Sequence, residues 1–170
     1  MENLQETENG LVRLIRNRWK LPAQDMKEYS PLTLAYIGDA IFDLIIRTYL
    51  VEQGNTQVNK LHKRASTIVK ATAQKKLFFA INQELTPEET AVYKRGRNAK
   101  SVTTAKNASV GDYRVATGLE ALFGYLYLTE QYERILELVY LGMTRMEQGI
   151  PEQTKEDRRN QTETGEGREE

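Results

Sequence analysis

The sequence predicts an all-α protein, and three observations lead to this prediction. Apolar residues recur at the helical spacing of three and four positions in several segments, whereas no segment alternates apolar and polar residues as a half-buried strand does. Two segments open with a polar capping residue followed directly by proline, a typical beginning of a helix. The chain has 170 residues, enough for one domain with a sizeable hydrophobic core.

The first two predicted helices differ in character. A short amphipathic helix is predicted in NGLVRLIRNRW. Its apolar stripe consists of Leu11, Leu14 and Ile15. After a connector, Ser30 and Pro31 begin a second helix over residues 31–51. This helix is apolar almost all round, so we expect it to be central and buried and to end near Gly54.

The next segment, TQVNKLHKRASTIVKATAQKKLFFAINQEL, is also predicted to be helical. Its apolar stripe consists of Leu61, Ala65, Ile68 and Val69. Thr86 and Pro87 then begin a further helix, with Glu88 and Glu89 near its positive end. The stretch RGRNAKSVTTAKNASVG has no apolar period, and we predict that it is a loop.

Two helices are predicted after this loop. Ser109 and Asp112 resemble a capping box, which predicts a helix that runs to about Leu128. The last helix is predicted over residues 131–146. Its inward face is expected to consist of Ile135, Leu136, Leu138 and Val139.

Charge is unevenly distributed along the chain. Lys and Arg number 24, as do Asp and Glu, but residues 151–170 hold seven acidic and four basic residues. We predict a disordered polar tail at 149–170, after an N-terminal helix and connector at 1–29 and a helical domain at 30–148. The first 150 residues then carry a net charge of +3, so the folded part is basic.

The composition also bears on the compartment. The chain contains no cysteine, which excludes disulfide bonds and thiolate metal sites and fits a reducing compartment. No N-terminal apolar run follows a basic segment, and no stretch approaches about 20 uninterrupted apolar residues, so we expect neither a signal peptide nor a membrane span. We therefore expect a cytoplasmic protein.

Two acids stand in the two most apolar predicted helices. Asp39 lies in LAYIGDAIFDLII, and Glu120 is the only charged residue in VATGLEALFGYLYL. Small residues flank both acids, so we expect the two helices to touch and the two carboxylates to lie together. Two carboxylates in one site repel each other unless a proton or a cation intervenes, and hard oxygen ligands favour Mg²⁺ or Mn²⁺.

A structural ion pair is the alternative for each acid, and the residues alone leave both alternatives open. A buried charge needs a partner in either case. Arg47 is spaced to reach Asp43, whose structural explanation is the simpler one, and Arg114 is available to either Asp39 or Glu120.

The basic stretch KRGRNAKSVTTAK covers residues 94–106 and contains no acid. Such donors contact phosphate and ribose, and since no aromatic residue is interleaved, a duplex backbone fits better than splayed single-stranded bases. A solvated loop without a ligand is the alternative. Tyr113 and Arg114 follow just inside the next helix, where we expect them to line the cleft that contains the two acids. The predicted RNA-binding residues are Lys94, Arg95, Arg97, Asn98, Lys100, Thr103, Lys106 and Arg114.

Two motifs resemble those of a known family. AYIGDAIFDL resembles the EFLGDAVL core of the ribonuclease III catalytic domain, and GLEALFGYLYL resembles the ALEALIGAIYL element of that family. The motifs stand in the family's order and spacing, with the basic stretch KRGRNAKS between them. Within the family, RGRNAK followed by TTAKN is similar to the loop of the Mini-III branch, which has no separate double-stranded-RNA-binding domain.

The resemblance implies a helical bundle that forms a homodimer, with residues 30–148 as the catalytic domain. It implies an endoribonuclease that cleaves double-stranded RNA to 5′-phosphate and 3′-hydroxyl ends and matures the ends of 23S ribosomal RNA precursor. Asp39 matches the Asp of GDA and Glu120 the Glu of EAL, which implies that both are catalytic and bind Mg²⁺, for which Mn²⁺ substitutes. A ribosomal protein is a further expected partner.

The sequence also departs from the family pattern. Two family acids are missing, since their positions fall on Ala35 and Thr117. The Mini-III branch shares this loss, which therefore does not imply an inactive enzyme but leaves the number of metal ions open. Two other functions stay open: a non-catalytic relative that binds double-stranded or ribosomal RNA, and a helical scaffold that binds a protein.

Overall fold

The structure is a computed structural model that describes residues 10–100 and 109–148. Within these ranges every regular element is helical, which confirms the predicted fold class. Short 3₁₀ turns lie at Met26–Glu28 and Asn82–Glu84. The tail predicted at 149–170 lies outside the described residues. The α-helices are α1 (Leu11–Trp19), α2 (Pro31–Glu52), α3 (Val58–Val69), α4 (Ala71–Ile81), α5 (Pro87–Arg97), α6 (Val110–Leu128) and α7 (Tyr132–Gln148).

Helices α2 and α6 cross in direct backbone contact, as the small residues predicted. A Cβ added at Gly38 would lie 1.7 Å from the carbonyl oxygen of Glu120. One added at Gly124 would lie 1.9 Å from the carbonyl oxygen of Leu34. No larger side chain fits at either glycine, so these two positions bring the helices together.

The hydrophobic core forms around this crossing. The rings of Phe42 on α2 and Phe123 on α6 lie 5.5 Å apart, and both side chains are fully buried. Phe78 on α4 stacks on Tyr93 of α5 with ring centroids 3.8 Å apart. Each large apolar side chain buried in this way stabilises the fold by roughly 1.5–3 kcal/mol relative to an exposed one.

The predicted capping residues do cap their helices. Ser30 Oγ accepts from the backbone N–H of Thr33 at 3.1 Å. Thr86 and Glu89 form a reciprocal capping box at the start of α5. At α6 only half of the predicted box forms, because the carboxylate of Asp112 pairs instead with Lys75 Nζ at 2.8 Å.

The stripe predicted for α1 faces the wrong way. Leu11, Leu14 and Ile15 are exposed, whereas Val12 is only 5% exposed and faces the core. The reason is the point of attachment: α1 is held at the turn between α6 and α7, where Arg13 pairs with Glu130 at 3.0 Å.

Two further predictions about burial were wrong. Helix α2 is not buried all round, and in α7 Leu136 is exposed although Ile135, Leu138 and Val139 are buried as predicted. The chain supplies neighbours for only one side of α2, so its other side stays open. The exposed apolar residues of α2 are Leu32, Tyr36, Leu44, Tyr49 and Val51.

None of the described helices has the length and apolar content that crossing a membrane requires.

The segment predicted as helical with one stripe is interrupted at Lys70. This residue is extended, with φ −64° and ψ 152°, and separates α3 from α4. It is neither Gly nor Pro, so the sequence carries no breaker there. The break places the end of α3 beside the first turn of α4.

Candidate active site

A cleft of about 550 Å³ lies where the N-terminal half of α2 meets α6. Asp39 and Glu120 both line it, so the structure brings together the two acids singled out in the sequence. Tyr113 lines it as expected, whereas Arg114 is exposed and is not among the lining residues. This acidic cleft is lined by Leu32, Ala35, Tyr36, Ile37, Asp39, Ala40, Tyr113 and Glu120.

Backbone packing determines where the two acids lie. Gly38, directly before Asp39, contacts the backbone of Glu120 itself. The two carboxylates therefore project from adjacent points of one helix crossing. Their relative position follows from two rigid helices and not from a mobile loop.

Both carboxyl groups have raised pKa values. Burial raises the pKa of Glu120 most, a hydrogen bond from Gln74 lowers it, and the charge of Asp39 raises it further, to about 7. Asp39 is an exposed residue, but partial desolvation of its carboxyl group also raises its pKa, and the charge of Asp43 adds to this effect. Negative charge is thus undercompensated in the cleft, and a proton or a cation would be favoured there.

The donor set fits a divalent cation with few protein ligands. Across residues 10–100 and 109–148, no group of three or more His, Cys, Asp or Glu side chains is placed to hold a metal. A cation in the acidic cleft would thus have two carboxylate ligands, Asp39 and Glu120. Mg²⁺ usually binds one or two carboxylates and keeps several waters, and oxygen ligands alone suit Mg²⁺ or Mn²⁺.

The alternative of a structural ion pair applies to Asp43. Its Oδ2 lies 2.6 Å from Nε of Arg47, one helical turn further along α2. In the described part of the chain, no salt bridge involves Asp39 or Glu120. Asp43 is therefore a paired acid, whereas the acids of the cleft are not neutralised by a described basic side chain.

The positions of the two missing family acids supply no carboxylate. Ala35 lines the acidic cleft with a methyl group only. Thr117 is buried, and its hydroxyl donates to the carbonyl of Tyr113 at 2.9 Å within α6. Asp39 and Glu120 thus remain the acids of the cleft.

Gln74 on α4 is a residue of this site that sequence reasoning missed. Its side chain is 2% exposed, and its Nε2 donates to Glu120 Oε1 at 3.0 Å. The available signal was its position: Gln74 precedes Leu77 and Phe78 by three and four residues, so it stands on the apolar face of its helix.

The basic stretch begins inside a helix and not in a loop, which corrects the prediction. Helix α5 continues to Arg97, and Gly96 packs on α6, where an added Cβ would lie 2.6 Å from that of Ala121. Arg95 donates to the carbonyl of Tyr29 at 3.3 Å. Thr103 and Lys106 lie outside the described residues. The exposed members of the predicted RNA-binding set are Lys94, Arg95, Arg97, Asn98, Lys100 and Arg114.

Comparison with known families finds one match that includes this cleft. The profile of the Ribonuclease III domain matches residues 32–131, a range that holds both Asp39 and Glu120.

Several curated relatives are named Mini-ribonuclease 3. The one from Clostridium tetani is 50% identical over 126 residues, which are 74% of this chain and 83% of that protein. The one from Enterococcus faecalis is 54% identical over 118 residues, 68% of this chain and 89% of that protein. The one from Thermoanaerobacter sp. is 43% identical over 141 residues, 83% of this chain and 99% of that protein.

A solved structure is similar in fold. It is the crystal structure of a protein from Fusobacterium nucleatum, which is 33% identical in sequence and superposes with a TM-score of 0.65. The match covers 72% of this chain and 98% of that one. The fold is therefore shared with an experimentally determined structure over most of the chain.

Proposed function

The chain belongs to the ribonuclease III family, in its Mini-ribonuclease III branch, and we propose that the acidic cleft is where it hydrolyses double-stranded RNA. As a member of that branch it is an endoribonuclease, a hydrolase of phosphodiester bonds. Asp39 and Glu120 are its catalytic and metal-binding residues in this proposal. The observation that supports it most directly is their convergence in one cleft with uncompensated negative charge.

The family depends on a divalent metal, and the proposed cofactor is Mg²⁺, with Mn²⁺ as a substitute. When bound, such a cation polarises a phosphate oxygen and promotes the ionisation of water. Asp39, which is exposed, and Glu120, which is partly buried, hold the cation from opposite helices. The contact at Gly38 determines the backbone positions from which the two ligands project. The products are 5′-phosphate and 3′-hydroxyl ends.

Basic and polar side chains in the last turn of α5, in the segment that follows it and at Arg114 of α6 bind the backbone of the duplex. Among the described residues these charged groups are exposed and accessible to phosphate, and residues 94–106 contain no aromatic residue for stacking on bases. The ends of 23S ribosomal RNA precursor are the proposed substrate. The proposed set is Lys94, Arg95, Arg97, Asn98, Lys100, Thr103, Lys106 and Arg114.

The active form is proposed to be a homodimer. An apolar groove of about 700 Å³ lies between α2 and α7, and Leu44, Tyr49 and Tyr140 line it. Tyr36, at the acidic cleft, is 82% exposed, and Tyr140 is 73% exposed. Apolar surface of this extent marks an interaction site, and a two-fold dimer of identical chains is the commonest oligomer. The mass in solution is expected to be twice 19.6 kDa.

The domain boundaries and the setting complete the proposal. Residues 30–148 form the catalytic domain, which residues 1–29 precede and the tail at 149–170 follows. A ribosomal protein bound to the same RNA supports substrate choice in this proposal. The protein works in the cytoplasm.

One assay tests the function. Duplex RNA is incubated with the full chain, with and without Mg²⁺, and the ends of the fragments are mapped, with single-stranded RNA of the same sequence as control. The expected result is Mg²⁺-dependent cleavage of the duplex only. Binding without cleavage would indicate a non-catalytic RNA-binding relative, and neither binding nor cleavage would indicate a protein-binding scaffold. Either outcome would overturn the proposal.

A further inference from the structure

Gln74 connects the end of α3 to Glu120, the partly buried acid of α6. Its Nε2 donates to the carbonyl oxygen of Val69 at 2.9 Å and to Oε1 of Glu120 at 3.0 Å. Val69 is the last residue of α3, where carbonyl groups lack partners within the helix. The extended backbone of Lys70 turns the chain between these groups, so a side chain from the first turn of α4 reaches both.

The orientation of this amide follows from its two neighbours. Both Val69 and Glu120 present acceptors, so the nitrogen with its two hydrogens has to face them. A rotated amide would place Oε1 of Gln74 against two oxygens. In the orientation observed, the two hydrogens of Nε2 are each taken by one acceptor.

Packing alone does not account for a glutamine at this position. Oε1 of Gln74 is buried, and it has no hydrogen-bond partner among the described residues. A buried acceptor left unpaired costs about 1–3 kcal/mol, a cost that methionine, an apolar side chain of similar size, would not carry. Donation to the carbonyl of Val69 gives the glutamine one structural role, and the second hydrogen bond, to Glu120, is explained if it has a use of its own.

We propose that Gln74 is a positioning residue, which holds the carboxylate of Glu120 in the orientation from which it binds the divalent cation. This inference rests on the function proposed above, since it requires a cation in the acidic cleft. Carboxylates that ligate metals are themselves held by hydrogen bonds, and loss of such a partner typically costs 10–100-fold in metal affinity. Gln74 supplies such a hydrogen bond to Glu120 from outside the lining of the cleft.

The first test measures Mn²⁺ affinity of the full chain by electron paramagnetic resonance. Gln74→Met keeps the volume but removes both donors, and we expect its dissociation constant for Mn²⁺ to rise about 10–100-fold. Gln131→Met is the matched control, because Gln131 Nε2 donates to Thr129 Oγ1 at 2.8 Å and does not line the cleft. A folded Gln74→Met variant with unchanged affinity would overturn the inference.

The second test separates positioning from general damage. Gln74→Met is combined with Glu120→Gln, and the affinities of all four proteins are compared. If Gln74 acts through Glu120, its substitution raises the dissociation constant for Mn²⁺ by less than about twofold in the Glu120→Gln background. The same loss in both backgrounds would mean that Gln74 acts on the fold and not on Glu120.

A third test uses the unmodified chain and does not depend on a variant that folds. Mg²⁺ is titrated while the side-chain amide resonances of Gln74 and Gln131 are followed by NMR. The Gln74 resonance is expected to shift together with the backbone amides of Asp39 and Glu120, whereas that of Gln131 stays in place. Shifts at the two acids without one at Gln74 would overturn this inference alone. A lack of shifts at the acids would overturn the metal site, and the inference with it.

Discussion

Gly38 lies directly against the backbone carbonyl of Glu120, so the residue before one acid of the cleft contacts the other acid across two helices. The contact leaves no room for a Cβ, which would lie 1.7 Å from that oxygen. The helix crossing and the placement of the two carboxylates are therefore the same structural feature.

Gly38→Ala should separate α2 from α6. The added methyl group meets backbone and not a flexible side chain, so we expect a loss of about 3 kcal/mol in the free energy of unfolding and a loss of cleavage. Gly111→Ala is the control, since the nearest atom to its added Cβ is 3.9 Å away. Denaturant unfolding of both variants measures the loss of stability. Equal unfolding midpoints would contradict a close backbone contact at Gly38.

Asp39→Asn should abolish most cleavage while fold and RNA binding persist. Asn keeps the size but removes the charge that holds a cation, and we expect a loss of at least about 100-fold in cleavage rate. Asp43→Asn, four residues along the same helix, is the control, because Asp43 is paired with Arg47. The measurement is the cleavage rate of each variant on duplex RNA in the presence of Mg²⁺. Near-normal cleavage by Asp39→Asn would exclude the catalytic assignment.

Replacing Arg95 and Arg97 with Ala should weaken RNA binding and reduce its salt dependence. Each phosphate contact contributes about one unit to the slope of log affinity against log salt, so the slope should fall by about two. The control is Arg16→Ala with Arg18→Ala, which removes the same charge from α1, near the C-terminal end of α6. Binding isotherms at several salt concentrations measure this. An unchanged slope would mean that neither arginine contacts phosphate.

Glu89→Gln should reduce the acid dependence of stability. Burial acts to raise the pKa of Glu89, but hydrogen bonds from Arg134 and Thr86 and the charge of Arg134 outweigh it, so the pKa lies below its ordinary 4.5. The ionised group therefore stabilises the fold above pH 4.5, and this contribution is lost as the pH falls through the lower folded-state pKa.

At neutral pH, Glu89→Gln should lower the free energy of unfolding by about 2 kcal/mol. The difference in this free energy between the variant and the unmodified chain should become smaller in acid. Glu137→Gln is the matched control, because Glu137 pairs with the same Arg134 but is largely exposed. Denaturant unfolding between pH 3 and pH 7 provides the comparison. A cost that does not vary with pH would contradict this explanation.

Local signals in the sequence predicted much of the fold. The starts of α2 and α5 followed from Ser30 and Thr86 because capping is a local hydrogen bond within four residues. The contact between α2 and α6 followed from glycines that a helix otherwise disfavours. Asp39 and Glu120 were noticeable because each is a charge in an apolar segment.

Other features depend on neighbours that a local pattern does not contain. The stripe of α1 was correct as a pattern, but Val12 and Arg13 decide its orientation through contacts with residues far along the chain. Leu136 fits an inward stripe, yet its exposure depends on which helices the chain supplies around α7. The break at Lys70 occurs without a Gly or Pro, and the hydrogen bond from Gln74 to Glu120 joins residues 46 positions apart, so no local pattern predicts either.

In the proposed active site, Asp39 and Glu120 jointly hold one divalent cation. Anomalous diffraction from crystals soaked in Mn²⁺ measures this directly. We expect one strong peak in the acidic cleft, within bonding distance of carboxylate oxygens of both residues. A cleft without a peak, with the two carboxylates turned away from each other, would contradict it.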